Sequence, residues 1–146
     1  MPAVLYVNFM DKNKRILIIE DDANLLYGLQ SKFRVEGFEV ITDEGADKKE
    51  VMEKIKILKP DYIILDIILP KINGFNVLAD IKADPDISKI PVFIFTNLSD
   101  KDSRQKSEDL GADFYIIKTE LNLDEFVIKF KKIITNRDRH QMPYSV

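Results

Sequence analysis

The chain has no cysteine, no tryptophan and a single histidine, His140, among its 146 residues. Without cysteine there is no disulfide framework, no thiolate-held zinc or iron–sulfur cluster and no thiol nucleophile, which agrees with a reducing compartment. One histidine beside the C-terminus argues against Ser/His/Asp hydrolysis and against multi-histidine metal sites. Glycine and proline are scarce, at 5 and 6 residues, so disordered and collagen-like chains are poor matches. A basic excess is missing too. The 22 Lys and Arg face 25 Asp and Glu, a net charge of −3, and neither nucleic acid nor an anionic membrane is an expected partner. The longest charge-free stretches, Met1 to Met10 and Ile90 to Ser99, fall short of the ~18 residues of a spanning helix. No basic stretch precedes the first apolar residues, so no signal peptide is expected. The composition reads as one soluble, cytoplasmic domain whose chemistry rests on carboxylates, Lys, Ser, Thr or Tyr.

Five short apolar runs punctuate the chain: Ile16 to Ile19, Phe38 to Ile41, Tyr62 to Leu65, Val92 to Phe95 and Phe114 to Ile117. Most are too continuous to alternate between core and water, which suits strands covered on both faces. Between and after them apolar residues recur at helical spacing: Leu26, Leu29 and Phe33; Val51, Ile55 and Leu58; Phe75, Leu78 and Ile81; Phe126, Val127, Phe130, Ile133 and Ile134. Gly37, Pro60 and Gly111 stand where helices should stop. The pattern predicts (βα)5, a doubly wound parallel sheet of the α/β class, over residues 14–135. Residues 1–13 read as an N-terminal extension and 136–146 as a C-terminal tail, with His140 a solvated tail residue. The fourth helical stretch, Asp100 to Leu110, has almost no apolar stripe and should dock weakly; Ser99 and Asp102 resemble its capping box.

In such a sheet ligands bind beyond the carboxyl ends of the strands. The residues there are Glu20-Asp21-Asp22 after the first run, Asp66 after the third, Thr96 after the fourth and Lys118 after the fifth. Clustered carboxylates without His or Cys suit a hard cation such as Mg²⁺, and a carboxylate can attack phosphorus to give an aspartyl phosphate. A cation and a lysine would neutralise the transferring phosphoryl group while the Thr hydroxyl donates to one of its oxygens. Singly, Asp22 reads as a helix N-cap, Thr96 as a turn residue and Lys118 as a solvated lysine. Asp66, set between Tyr62-Ile63-Ile64-Leu65 and Ile67-Ile68-Leu69, needs a cationic partner on any reading, because a lone charge among apolar residues costs several kcal/mol.

Together these residues resemble the receiver domains of two-component response regulators, from about Lys14 to Ile134. The resemblance lies in Ile18-Ile19-Glu20-Asp21-Asp22, in Leu65-Asp66-Ile67-Ile68-Leu69-Pro70-Lys71-Ile72-Asn73-Gly74, in Phe95-Thr96 and in Tyr115-Ile116-Ile117-Lys118. The intervals of 30 residues from Asp66 to Thr96 and 22 from Thr96 to Lys118 also fit the family. The resemblance implies a flavodoxin-like sheet of order 2-1-3-4-5, for which a member of this family is a standard example. It also implies Asp66 as phosphoacceptor, with Mg²⁺ held by Asp21, Asp66 and the Ile68 carbonyl directly and by Glu20 through water. Lys118 would pair with the acceptor and then with the phosphoryl group, and Thr96 and Tyr115 match the family's switch pair. Asn97 stands where the family usually has Ala or Ser, and Thr119 where it usually has Pro. A non-Pro cis bond costs ~2.5–4 kcal/mol, so the Lys118–Thr119 bond is expected trans, with Glu120 to Asn122 absorbing the change of direction.

The function implied is phosphoryl transfer from a partner histidine kinase or phosphotransfer protein to Asp66. A downstream protein or a second copy would then dock on helix four, strand five and helix five. Catalysis would be at most slow self-phosphotransfer and autodephosphorylation. The chain is either a stand-alone relay or adaptor, or a receiver piece of a longer protein. A haloacid dehalogenase-type phosphatase would want a second Asp where Ile68 stands. A flavin-binding flavodoxin would need a phosphate loop where Glu20-Asp21-Asp22 repels phosphate. The main alternative is a receiver-like adaptor that acts without phosphorylation.

Overall fold

A computed structural model describes residues 13–141, with side chains described through Asp138. Most of the expected N-terminal extension, the end of the tail and the His140 side chain lie outside the described residues. The strands are β1 (Arg15–Ile19), β2 (Glu39–Asp43), β3 (Tyr62–Leu65), β4 (Val92–Thr96) and β5 (Phe114–Ile117). All pair in parallel in the order β2-β1-β3-β4-β5, the expected flavodoxin-like arrangement. The helices are α1 (Ala23–Val35), α2 (Lys48–Leu58), α3 (Gly74–Ala83), α4 (Lys101–Asp109) and α5 (Leu123–Gln141), with a 3₁₀ turn at Lys118–Glu120. Among the described residues no helix is long and apolar enough to cross a membrane.

The continuous apolar strands are covered on both faces, as their composition requires. On one face Ile16, Ile18, Tyr62, Ile64, Phe93 and Phe95 pack against Leu29 and Phe33 of α1 and Phe126 and Phe130 of α5. On the other, Leu17, Ile19, Ile63, Leu65 and Ile94 pack against Val51 and Ile55 of α2 and Val77, Leu78 and Ile81 of α3. The two layers differ in kind: every buried aromatic among the described residues lies on the α1/α5 side, and the buried residues of the opposite layer are aliphatic. Phe130 is the hub of the aromatic layer, with ring centroids 5.1 Å from Phe33, 5.6 Å from Tyr62 and 4.5 Å from Phe93.

Local chemistry moves several boundaries. Phe38 is a turn residue whose amide donates to the Phe33 carbonyl, so β2 begins at Glu39. Asp100, not Ser99, caps α4: its carboxylate accepts from the Ser103 amide at 2.9 Å, and Ser99 lies one position too early. As its composition predicts, α4 buries only Ser107, whose hydroxyl finds no partner among the described residues. The last helix runs on to Gln141, past the expected end near residue 135. In that extension Arg137 lies 3.5 Å from Asp113. No peptide bond is cis among the described residues, so Lys118–Thr119 is trans and the chain turns through the 3₁₀ segment, as expected.

Replacing the hub Phe130 by Ala should leave a cavity that several rigid rings cannot fill, at a cost of ~3–5 kcal/mol. Urea denaturation of the variant, read as the shift in midpoint at unchanged slope, measures this.

Candidate functional site

The strand register brings the carboxyl ends together. Ile19 pairs with Asp43 and with Leu65, Leu65 with Ile94, and Thr96 with Ile117. The next residues, Glu20, Asp66 and Lys118, therefore emerge at one rim beside Thr96. The Asp66 amide donates to the Ile19 carbonyl at 3.1 Å, and the Glu20 amide to the Asp43 carbonyl at 3.0 Å. The ladder thus extends one residue past each of these strands before the chain turns. Glu20, Asp66 and Thr96 are buried, at 3%, 4% and 0% exposure, whereas Asp21 is exposed.

Lys118 joins the two buried carboxylates. Its ammonium donates to Asp66 Oδ2 at 2.6 Å and to Glu20 Oε2 and Oε1 at 2.8 and 3.0 Å. The Asp66 half of this arrangement is expected from the sequence. Glu20 as a second anchor for the lysine is not, because the two lie at the ends of β1 and β5, with β3 and β4 between them, and meet only because the folded sheet sets both ends on one rim. Glu20, Asp21 and Asp66 each offer a carboxylate oxygen within 4.8 Å of the others. Three carboxylates with one ammonium form a set of hard oxygen donors whose charge is incompletely neutralised, which fits a cation such as Mg²⁺. Ile68 follows on the loop after Asp66, half-exposed, and its amide donates to Asp66 Oδ1 at 3.0 Å. Asp22 lies outside this group: its carboxylate accepts from the Asn24 and Leu25 amides, as an N-cap does.

The electrostatics follow from burial. Burial pushes the Glu20 carboxyl up to about 7; the hydrogen bond from Lys118 opposes the rise and the neighbouring Asp66 adds to it. For Lys118, burial alone would lower the ammonium pKa, but its hydrogen bonds to Asp66 and Glu20 raise it above the ordinary value.

Gly74 holds the loop after Asp66 closed. A Cβ there would come within 2.5 Å of Ile67 Cα and 2.6 Å of the Asp66 carbonyl, and the Gly74 amide donates to the Ile67 carbonyl at 3.1 Å. At the far side of the site Thr96 Oγ1 accepts a long bond, 3.4 Å, from the Leu98 amide. The Tyr115 hydroxyl donates to the Leu98 carbonyl at 2.7 Å, and the Arg104 guanidinium lies 5.7 Å from the ring centroid. Leu98 thus contacts both members of the expected switch pair. Its carbonyl is a backbone group, and no residue pattern announces it.

A family model described as "Response regulator receiver domain" matches residues 16–130. The chain belongs to that family. A curated relative, the "Probable transcriptional regulator ycf27" of Porphyridium aerugineum, is 32% identical over 107 residues, 73% of this chain and 42% of the relative. This receiver domain spans about half or less of the length of the curated relatives it matches. Among solved structures, the phosphorylated cyanobacterial phytochrome response regulator RcpA is 31% identical, with a TM-score of 0.69 over 84% of this chain and 91% of that one. The Mn²⁺-bound form of response regulator Rcp1 is 29% identical, with a TM-score of 0.68 over 79% and 88%. The family implies a two-component system as the setting in which this receiver domain works.

The Glu20 environment sets a pH dependence. Folded, Glu20 keeps its proton up to about 7; unfolded, it loses it near the ordinary value of 4.5. The folded state binds more protons between these limits, so the contribution of Glu20 to stability is full below the lower limit and is lost as pH rises through the upper. Glu20→Gln abolishes that slope. Relative to the parent, the variant should gain on the order of 1 kcal/mol between pH 5 and 8, whatever its offset from losing the Lys118 bonds. Metal-free denaturation curves at several pH values check this; parallel pH profiles would refute it.

Proposed function

We propose that this receiver domain accepts a phosphoryl group on Asp66 from the phosphohistidine of a partner histidine kinase or phosphotransfer protein, in the cytoplasm. The observation that carries the reading is the Lys118 ammonium, 2.6 Å from Asp66 Oδ2, in a site where Glu20, Asp21 and Asp66 converge. An Asp66 carboxylate oxygen attacks phosphorus, the N–P bond breaks, and its electron pair leaves on the imidazole nitrogen. Lys118, held by Glu20 as well as Asp66, stays beside the acceptor as charge builds on the phosphoryl oxygens, and the buried Thr96 hydroxyl donates to one of them. Asp21, Asp66 and the Ile68 carbonyl would hold Mg²⁺, with Glu20 through water; when bound, the ion neutralises phosphoryl charge.

The same reading gives the output. Once Thr96 turns its hydroxyl to the phosphoryl group, its contact with the Leu98 amide is lost. The segment that also accepts the Tyr115 hydroxyl is then free to rearrange. Because α4 buries one serine and no aliphatic side chain, it is the element cheapest to shift. A downstream protein or second copy then reads α4, β5 and α5. Return to the resting state is by slow hydrolysis of the acyl phosphate.

Acetyl phosphate with Mg²⁺ should add one phosphoryl group by intact mass, and Asp66→Asn should abolish it. Failure with a donor validated on another receiver would favour an adaptor that acts without phosphorylation. In a Mg²⁺ titration Asp21→Ala should weaken binding at least about tenfold, since losing even a partner that only orients a ligand typically costs ~10–100-fold, whereas the N-cap change Asp22→Ala should leave affinity nearly unchanged. Equal losses would overturn the ligand assignment.

A further inference from the structure

Helix α4 is held without the apolar contacts that seat the other helices. It buries only Ser107, and that hydroxyl has no partner among the described residues, so its burial costs free energy instead of supplying it. Contacts of another kind must supplement the Asp100 cap. Two cations on α4 face aromatic rings: the Arg104 guanidinium lies 5.7 Å from the Tyr115 centroid, and the Lys106 ammonium lies 4.4 Å from that of Phe75. Attraction of a cation to a ring face operates within about 6 Å, so the Lys106 contact is the firmer of the two.

The Phe75 ring is tied to the acceptor loop. It follows Gly74, whose amide donates to the Ile67 carbonyl and where a Cβ would come within 2.6 Å of the Asp66 carbonyl. The Phe75 amide donates to Asn73 Oδ1 at 2.8 Å, and its side chain packs, half-buried, against the aliphatic layer. The ring therefore stands at a fixed offset from Asp66. We propose that Lys106 is a latch: its contact with Phe75 holds α4 in the resting position and gives the acceptor loop a second tie to the output helix, one that does not pass through Thr96, Leu98 or Tyr115. The inference rests on the reading of Asp66 as phosphoacceptor. Lys106 is exposed, so its contact is of the solvent-facing kind, which changes a population about two- to fivefold. With no aliphatic burial to outweigh, that is enough to bias the helix. A contact made only in the resting position opposes switching, and the sign of its removal follows. The switched form becomes more populated, and a ligand that favours that form binds more tightly.

Beryllofluoride, which with Mg²⁺ imitates the acyl phosphate on Asp66, is the probe, titrated into the full chain at fixed Mg²⁺ and followed by fluorine NMR. Lys106→Met keeps the aliphatic stem and removes the charge; Phe75→Leu keeps an apolar side chain and removes the ring. Circular dichroism verifies that each variant is folded. Each should bind the mimic about two- to fivefold more tightly than the parent, and the two changes combined should gain no more than either alone. Lys106→Arg, which restores a cation to the ring, should return the parent affinity. Unchanged or weaker affinity in the folded variants, with the parent binding, would overturn the latch and leave the acceptor reading standing. Fully additive gains would also overturn it, because the two residues would then act separately. Absence of binding by the parent would overturn the acceptor reading and the latch together.

Discussion

Parallel pairing of β1 with β3 sets Glu20 and Asp66 side by side at the ends of adjacent strands, and the rest of the site answers that constraint. Burial raises the proton affinity of Glu20, and the neighbouring Asp66 adds to the rise. The compensation is a single ammonium, Lys118, which donates to both. A buried ion pair of this kind is weak evidence for stability, since desolvation offsets much of the attraction. It makes better sense as a held charge imbalance: three carboxylates, one lysine, and oxygen atoms converging within 4.8 Å. The site is under-neutralised, and that excess of negative charge suits a cation.

The two faces of the sheet do different work. The α1/α5 layer is aromatic, with rings meeting edge to face around Phe130, a packing that resists small displacements. It anchors β1, β3 and β4, whose ends carry Glu20, Asp66 and Thr96. At the other extreme stands α4, capped by Asp100 yet burying only a serine whose hydroxyl has no partner among the described residues. A rigid layer fixes Asp66, while α4, beside Tyr115 and Leu98, is only weakly docked. That division places stability and responsiveness in different elements of one small fold.

Periodicity alone exposed the five strands, the apolar faces of four helices and the weakness of α4, because burial on one or both faces leaves a pattern along the chain. The carboxylates, Thr96 and Lys118 were visible for the same reason: each directly follows an apolar run. The boundaries that differed were decided by single hydrogen bonds. Asp100 displaced Ser99 as the α4 cap, and Phe38 bonded back to α1 instead of starting β2. Helix α5 continued to Gln141, and within that extension Arg137 lies 3.5 Å from Asp113.

What the sequence by itself determined, then, was which residues stand at the strand ends and which faces of the helices are apolar. Both are properties of neighbours along the chain. The tertiary structure decided what those residues touch: Glu20 as the second anchor of Lys118, Gly74 against the Asp66 and Ile67 backbone, and the Leu98 carbonyl as acceptor for Tyr115. These contacts join residues 98, 8 and 17 positions apart, through strand register, close backbone approach and a carbonyl that every residue possesses. No side-chain pattern encodes such pairings, because they exist only once the chain has folded and brought these groups together.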